Sequence, residues 1–282
     1  MIIHKMTSNL SVAYVTALYN INRENKGDGR KWDQYLEWFK CTLQHNAPMI
    51  IFIPNELESF VKEHRPDHLH THIIIAPLEE VPYFKYNDAI TDVINSDHFK
   101  RKMADTNRIE CYLPMYSIIQ YSKFEWLKKA AEVNSFKSDY YFWIDGGLSR
   151  FYDNNFHTNE LNHNIINQFD KNPTRFYIQA TPRLFEHIPD DYIWDNNAKI
   201  YGGVFGGKNN IVITMANEVT QLFEHYLYNE KVINNEQLLL LCLYKNKPEL
   251  FCFLTHIYHE HPYTAIPRLL HGSFIHCQLF TK

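Results

Sequence analysis

The segment Asp139-Tyr-Tyr-Phe-Trp-Ile-Asp145-Gly-Gly147 places a carboxylate directly after five apolar residues and directly before two glycines. If the apolar run is a buried strand, Asp145 stands at its carboxyl end, where α/β sheets bind their ligands. The glycines at 146 and 147 would let a ligand approach the backbone. A carboxylate there suits a divalent metal or a ribose hydroxyl; the plainer alternative is a strand-ending turn, because Asp-Gly is a turn dipeptide. A second glycine-rich segment, Ile200-Tyr-Gly-Gly-Val-Phe-Gly-Gly-Lys208, sets Gly202, Gly203 and Gly206 beside Lys208. Its spacings match neither a dinucleotide fingerprint nor a phosphate loop. It reads as backbone close to a ligand, or as a bend between strands. The third segment, Asn234-Asn-Glu236-Gln237, precedes a run of leucines, and taken alone it is an ordinary helix cap with an acid in the first turn.

Two histidine clusters raise a metal-hydrolase alternative. His68, His70 and His72 share one face if their segment is a strand, and His256, His259 and His261 lie close together near the end of the sequence. Neither has the H-E-x-x-H arrangement of a zinc hydrolase. Solvent-facing and packing roles account for them better. Nucleophilic serine chemistry lacks its G-x-S-x-G elbow, and Cys111 reads as a buried free thiol.

The surrounding elements alternate strand and helix. Val12–Leu18 and Met49–Ile53 are apolar runs of strand length. Between them Trp32, Tyr35, Leu36, Phe39 and Leu43 make a helical stripe. That order predicts a βαβ unit and a parallel sheet. Ile73–Ala76, Tyr140–Ile144, Arg175–Gln179 and Ile211–Thr214 read as further strands. Tyr121–Val133, Ala216–Tyr228 and Glu236–Tyr244 read as helices. The fold expected is therefore α/β, with a mostly parallel central sheet flanked by helices. No linker divides residues 1–282, so one domain is expected.

With 45% hydrophobic and 21% charged residues the chain is an ordinary globular one, which sets disorder aside. The net charge of −4, without a basic block, disfavours nucleic acid as a partner. Five cysteines without C-x-x-C spacing fit a reducing compartment. No signal-peptide region or apolar run of membrane-spanning length is present, so the expected location is cytoplasmic, at a membrane surface or free of it.

Taken in order, the acid-terminated strand, the Gly-Gly-x-Phe-Gly-Gly segment, the Glu-Gln opening a Leu-rich helix and the closing Lys-x-x-Pro-Glu-Leu-Phe resemble a GT-A glycosyltransferase. More narrowly, Val15-Thr-Ala-Leu18, Tyr35-Leu-Glu-Trp-Phe39 and Tyr141-Phe-Trp-Ile-Asp-Gly-Gly147 resemble the bacterial HtrL/YibB family over about residues 10–255. The resemblance implies a Rossmann-like GT-A fold, with a nucleotide-sugar-binding half over about 1–147 and an acceptor-side half with a C-terminal tail over 148–282. It implies transfer of a sugar from a UDP- or GDP-linked donor to a hydroxyl on a glycan, a lipid-linked saccharide or a protein, as in polysaccharide biosynthesis. Asp145 matches the first acid of the Asp-x-Asp motif, which binds the donor and a Mn²⁺ or Mg²⁺ ion, whereas Gly147 stands at the second acid. Thr16, Arg23, Lys123, Gly146 and Gly147 fall on donor-side positions, with Lys123 opening a helix. Gly202, Gly203, Gly206 and Lys208 fall on an acceptor-side loop, and Glu236 falls on the general base. His271 or His276 matches a C-terminal metal ligand. Because the second acid is missing, a GT-A-like protein that binds a nucleotide or sugar without turnover is the alternative.

Overall fold

The structure, a computed structural model, describes residues 10–256, 262–272 and 277–280. Its strands are β1 (Val12–Ala17), β2 (Met49–Ile53), β3 (Thr71–Ile75), β4 (Tyr140–Ile144), β5 (Phe176–Ala180), β6 (Ile200–Lys208), β7 (Phe251–His256) and β8 (Cys277–Phe280). They form one sheet in the order β3-β2-β1-β4-β6-β5-β7-β8. β1 to β5 and β7 run one way, and β6 and β8 run against them. This is the mostly parallel sheet that the sequence implies.

The helices are α1 (Arg23–Lys26), α2 (Trp32–Thr42), α3 (Glu58–His64), α4 (Asn87–Asn95), α5 (Asp97–Lys102), α6 (Pro114–Val133), α7 (His163–Phe169), α8 (Asn209–His225), α9 (Glu236–Asn246) and α10 (Ala265–Leu270). They cover both faces of the sheet. On β1, Ala13, Val15 and Ala17 enter one core, with residues of α4, α5, α6, α8 and α9. Val12 and Tyr14 enter the other, with residues of α2, α3, α7 and α10. Burial on both faces is why the central strands read as continuous apolar runs rather than alternating ones.

A buried arginine ties the first crossover together. Arg65 donates to the carbonyls of Leu43 and His45, each at 2.7 Å, to that of Ala47 at 2.5 Å, and through Nε to Thr71 at 3.0 Å. These acceptors would otherwise be buried carbonyls in the connection from α2 to β2. Burial lowers the Arg65 guanidinium to about 10.

Three local expectations change. Ile211–Thr214 lies inside α8. Its β-branched residues suit a strand locally, but Ile211, Val212, Met215, Ala216, Val219 and Phe223 are buried at helical spacing. The glycine-rich segment is strand β6 and not a loop. Lys123 sits in the middle of α6, which begins at Pro114 in its first turn, a position proline favours.

Candidate active site

The chain passes from β1 to β2 on one side, while β4 lies on the other. That reversal opens a crevice at the carboxyl ends of β1 and β4, the place where doubly wound sheets receive ligands. A cleft of about 270 Å³ lies there, lined by residues that include Arg23, Arg30, Lys123, Asp145, Arg150 and Glu236. A second hollow of about 160 Å³ shares Arg23, Tyr35, Tyr116 and Gln120 with it and runs along Leu18–Asn25.

Asp145 is fixed by its neighbours. Its N–H donates to the Gly203 carbonyl on β6 at 2.9 Å. The Trp143 indole donates to its Oδ1 at 2.8 Å. The Lys123 ammonium reaches the same oxygen at 2.9 Å, Glu236 Oε1 at 3.1 Å and the Gly202 carbonyl at 3.1 Å. An ammonium has three protons, and here each has an acceptor. Lys123 is 2% exposed and the Glu236 side chain 3%, against 31% for Asp145, so the pair forms the floor of the cleft beneath a more open carboxylate.

The electrostatics follow from that burial. Desolvation pulls the Lys123 ammonium down, but Asp145 and Glu236 more than reverse it, so Lys123 stays protonated. Burial pushes the Glu236 carboxyl up, Asp145 adds to this, and Lys123 opposes it.

The start of α9 is held as rigidly. Asn235 caps it, its side chain accepting from the N–H groups of Gln237 and Leu238 at 3.2 Å. Buried Asn234 donates to the carbonyls of Ile193 and Asp195, both at 2.8 Å. Gly202 is required opposite Glu236, because a Cβ there would collide with the carboxylate. Segment 234–237 is therefore both a cap and the mount of a cleft carboxylate.

Three arginines, Arg23, Arg30 and Arg150, also line the cleft. Arg23 makes a two-pronged pair with Asp28, both contacts at 2.7 Å, donates to Tyr35 at 2.9 Å and lies 5.0 Å over the Tyr116 ring. Asn22 before it takes a left-handed backbone, φ 57°, one that asparagine tolerates. Arg30 shares Asp28 at 3.2 Å. Arg150 lies 4.6 Å over Phe151 and 5.5 Å over Trp38.

Of the residues singled out in the sequence, Arg23, Lys123, Asp145, Gly146, Gly147, Gly202, Gly203 and Glu236 line the cleft. Thr16 does not: it is buried on the face opposite Ala17, and its hydroxyl has no partner among the described residues. Gly206 packs on the β4 backbone at Tyr141 and Phe142. Lys208 pairs with Tyr140 at the far end of β4 and binds Asp170 at 2.8 Å. A nine-residue strand carries these two away from the ligand edge, which a loop would not have done.

His271 is buried in the core on the α10 side. The Asn159 carbonyl can only accept, so His271 Nδ1 donates to it, at 2.7 Å. Being neutral, His271 then accepts at Nε2 from His45 Nδ1 at 3.0 Å, and His45 Nε2 accepts from the Tyr152 hydroxyl at 2.6 Å. Both ring nitrogens of His271 are used in this chain. His276, His259 and His261 lie outside the described residues. Of the first histidine cluster only His72 is in β3, where it contacts Ser135.

Arg30, Tyr35, Tyr116, Gln120, Arg150 and Tyr263 also line the cleft; none of them was a candidate site residue in the sequence, where Tyr35 entered only as part of a helical stripe and a family motif. Tyr116, Gln120 and Lys123 are spaced four and three apart in α6, a polar stripe on one face of a largely apolar helix. That stripe was the available signal.

The architecture and its crevice define an α/β protein with a charged cleft at the ligand edge of its sheet. The sequence profile of the HtrL_YibB family, described as "Bacterial protein of unknown function", matches residues 10–261, and the chain belongs to that family. No curated protein matches the chain. Similar solved structures include core-mannan synthase A from Aspergillus fumigatus in a Mn/GDP form (9% identity, 88% of this chain and 71% of that one, TM-score 0.46). Two more are mouse xyloside xylosyltransferase 1 in its apo form (9%, 97% and 97%, 0.42) and 4-diphosphocytidyl-2C-methyl-D-erythritol synthase from Anaerococcus prevotii (11%, 94% and 98%, 0.40). Among the described residues no helix is long and apolar enough to cross a membrane.

Proposed function

We propose that the chain is a glycosyltransferase that moves a sugar from a nucleoside diphosphate donor to an acceptor hydroxyl. One observation carries this reading: the buried Glu236–Lys123 pair under the open carboxylate Asp145, set in an arginine-lined crevice where the strand order reverses. The hollow along Leu18–Asn25, with Tyr35 and Tyr116, has the ring faces to take the base. Arg23, Lys123, Asp145, Gly146 and Gly147 are the donor side. Gly202 and Gly203 lie on the acceptor side, below Glu236.

The chemistry needs three things. An acceptor hydroxyl is far too weak an acid to ionise at neutral pH, so a base must take its proton as it attacks the anomeric carbon. Glu236, raised by burial, is matched to that task. The bond from the anomeric carbon to the phosphate oxygen breaks with its electron pair on the diphosphate, and that charge needs preplaced partners. Asp145, held by Trp143 and Lys123, orients the donor from the open side of the cleft.

The test is thermal unfolding with UDP, GDP and their sugar conjugates, together with release of free sugar from the conjugates. A nucleotide that binds only the folded chain raises the melting temperature. Stabilisation and slow hydrolysis are expected of the wild type, and Asp145→Ala is expected to lose the hydrolysis. Full activity in that variant would overturn the reading. Stabilisation without any hydrolysis by the wild type would leave a binding protein instead.

A further inference from the structure

We propose that this cleft neutralises the departing diphosphate with fixed side-chain cations, Arg150 above Gly147 and Lys123 beneath Asp145, in place of a divalent ion. The proposal rests on the nucleotide-sugar reading and deepens it.

The residues of the cleft do not fit a divalent ion. Such ions take several converging oxygen ligands, one or two of them carboxylates with free lone pairs and the rest substrate phosphates or waters. Among the described residues there is no group of three or more His, Cys, Asp or Glu able to hold a metal. Asp145 Oδ1 already accepts from Trp143 and Lys123, and Glu236 Oε1 from Lys123. An ion drawn to these two carboxylates would lie against an ammonium that both already hold. His271 spends its two nitrogens on His45 and Asn159.

Beside Gly147, at the second-acid position, lies a positive charge. A Cβ on Gly147 would lie 3.4 Å from the Trp38 ring, 3.6 Å from the Tyr35 ring and 3.7 Å from Arg150 Nη1. The guanidinium is therefore in contact range of the position where the second acid would stand, beside two aromatic rings. It is propped on the rings of Phe151 and Trp38, and no ion pair joins it to a carboxylate among the described residues. Arg23 and Arg30, by contrast, share Asp28. Arg150 is thus the lining arginine whose charge is left for a ligand, and a guanidinium presents the fork that phosphate oxygens accept.

The charge balance agrees. Four cations, Arg23, Arg30, Lys123 and Arg150, and two carboxylates, Asp145 and Glu236, line the cleft, and Asp28 behind Arg23 and Arg30 makes the balance four against three. The positive charge left over favours an anionic ligand such as a diphosphate. In the transfer the electron pair of the broken bond stays on the phosphate oxygen, Arg150 donates hydrogen bonds to it without giving up a proton, and the acceptor's proton goes to Glu236. Lys123 acts through its charge alone, because its three protons stay on Asp145, Glu236 and the Gly202 carbonyl.

The experiment is calorimetric titration of the full chain with UDP, GDP, CDP and ADP, in EDTA and in excess Mn²⁺. The nucleotide that binds is expected to bind equally well in both. Arg150→Ala, at an exposed position that leaves the fold intact, is expected to weaken the diphosphate by about 10- to 100-fold, leave the free nucleoside unchanged, and be partly rescued by Arg150→Lys. Binding that requires Mn²⁺, or an Arg150→Ala variant with unchanged diphosphate affinity, would overturn the proposal while the nucleotide-sugar reading stands. Failure of all four nucleotides to bind in either condition would overturn both.

Discussion

Lys123 donates one proton each to Asp145, Glu236 and the Gly202 carbonyl, and this makes its side chain a measurable hinge of the chemistry. Replacing it by methionine keeps the stem and removes the charge. Glu236, still buried and still facing Asp145, would then be pushed further up, toward its protonated form. Lys123→Met is therefore expected to cut turnover at least 100-fold and to shift the acid limb of the pH–rate profile to higher pH. Breaking one side of a buried pair typically costs about 3–5 kcal/mol. The double variant Lys123→Met/Glu236→Gln removes the stranded carboxylate and should regain some of that stability, a non-additivity readable in a denaturant titration. Additive losses would mean that the two side chains do not act as a pair.

Strand β6 shows how the same residue type serves two ends at the scale of one element. A Cβ on Gly202 would strike the Glu236 carboxylate, whereas one on Gly206 would strike the Tyr141 carbonyl and the Phe142 backbone of β4. Gly206→Ala must push β6 away from β4 and should lower stability by about 1–3 kcal/mol. Gly202→Ala meets the end of a side chain and not backbone, and displaces the Glu236 carboxylate from Lys123, so it should cost less stability and more activity. Thermal melts and turnover measured on both variants would separate the two roles; equal effects on both readouts would deny the distinction. This strand is also where the sequence was hardest to read. Asp145, Lys123 and Glu236 were legible because each adjoins a strong pattern: an apolar strand, an apolar helix or a leucine run. The glycines of β6 carry no periodicity, so a nine-residue strand resembled a loop, and Gly206 and Lys208 were placed beside a ligand they do not face. Arg150 was invisible for a different reason. Its place beside Gly147 depends on a short turn, Leu148–Phe151, that aims the side chain back over the cleft, and no spacing rule encodes that direction.

At the scale of the molecule, the chain Tyr152–His45–His271–Asn159 joins the end of α2 to the segments before α7 and after α10 through neutral imidazoles. Burial lowers the His45 imidazole well below its usual range, with further repulsion from His271, His157 and Arg65. Burial lowers His271 to about 4, and its bond to Asn159 only partly offsets this. In the unfolded chain both titrate near their ordinary value of about 6.5. As pH falls below that value the unfolded state takes up protons that the folded state refuses, so stability present at pH 7 is lost progressively toward pH 4. At about 1.4 kcal/mol per group per pH unit, the two histidines together should remove roughly 2 kcal/mol between pH 6.5 and 5.5. Urea unfolding across that window, before most carboxylates titrate, is the measurement. The variant His45→Gln/His271→Gln should begin less stable at pH 7 and change less with pH, because the groups that refuse the protons are gone. Parallel curves for the two proteins would show that these imidazoles do not set the acid limit, and would return the cause to the carboxylates. The expected divergence would instead mean that the fold first loosens in acid at this buried histidine pair.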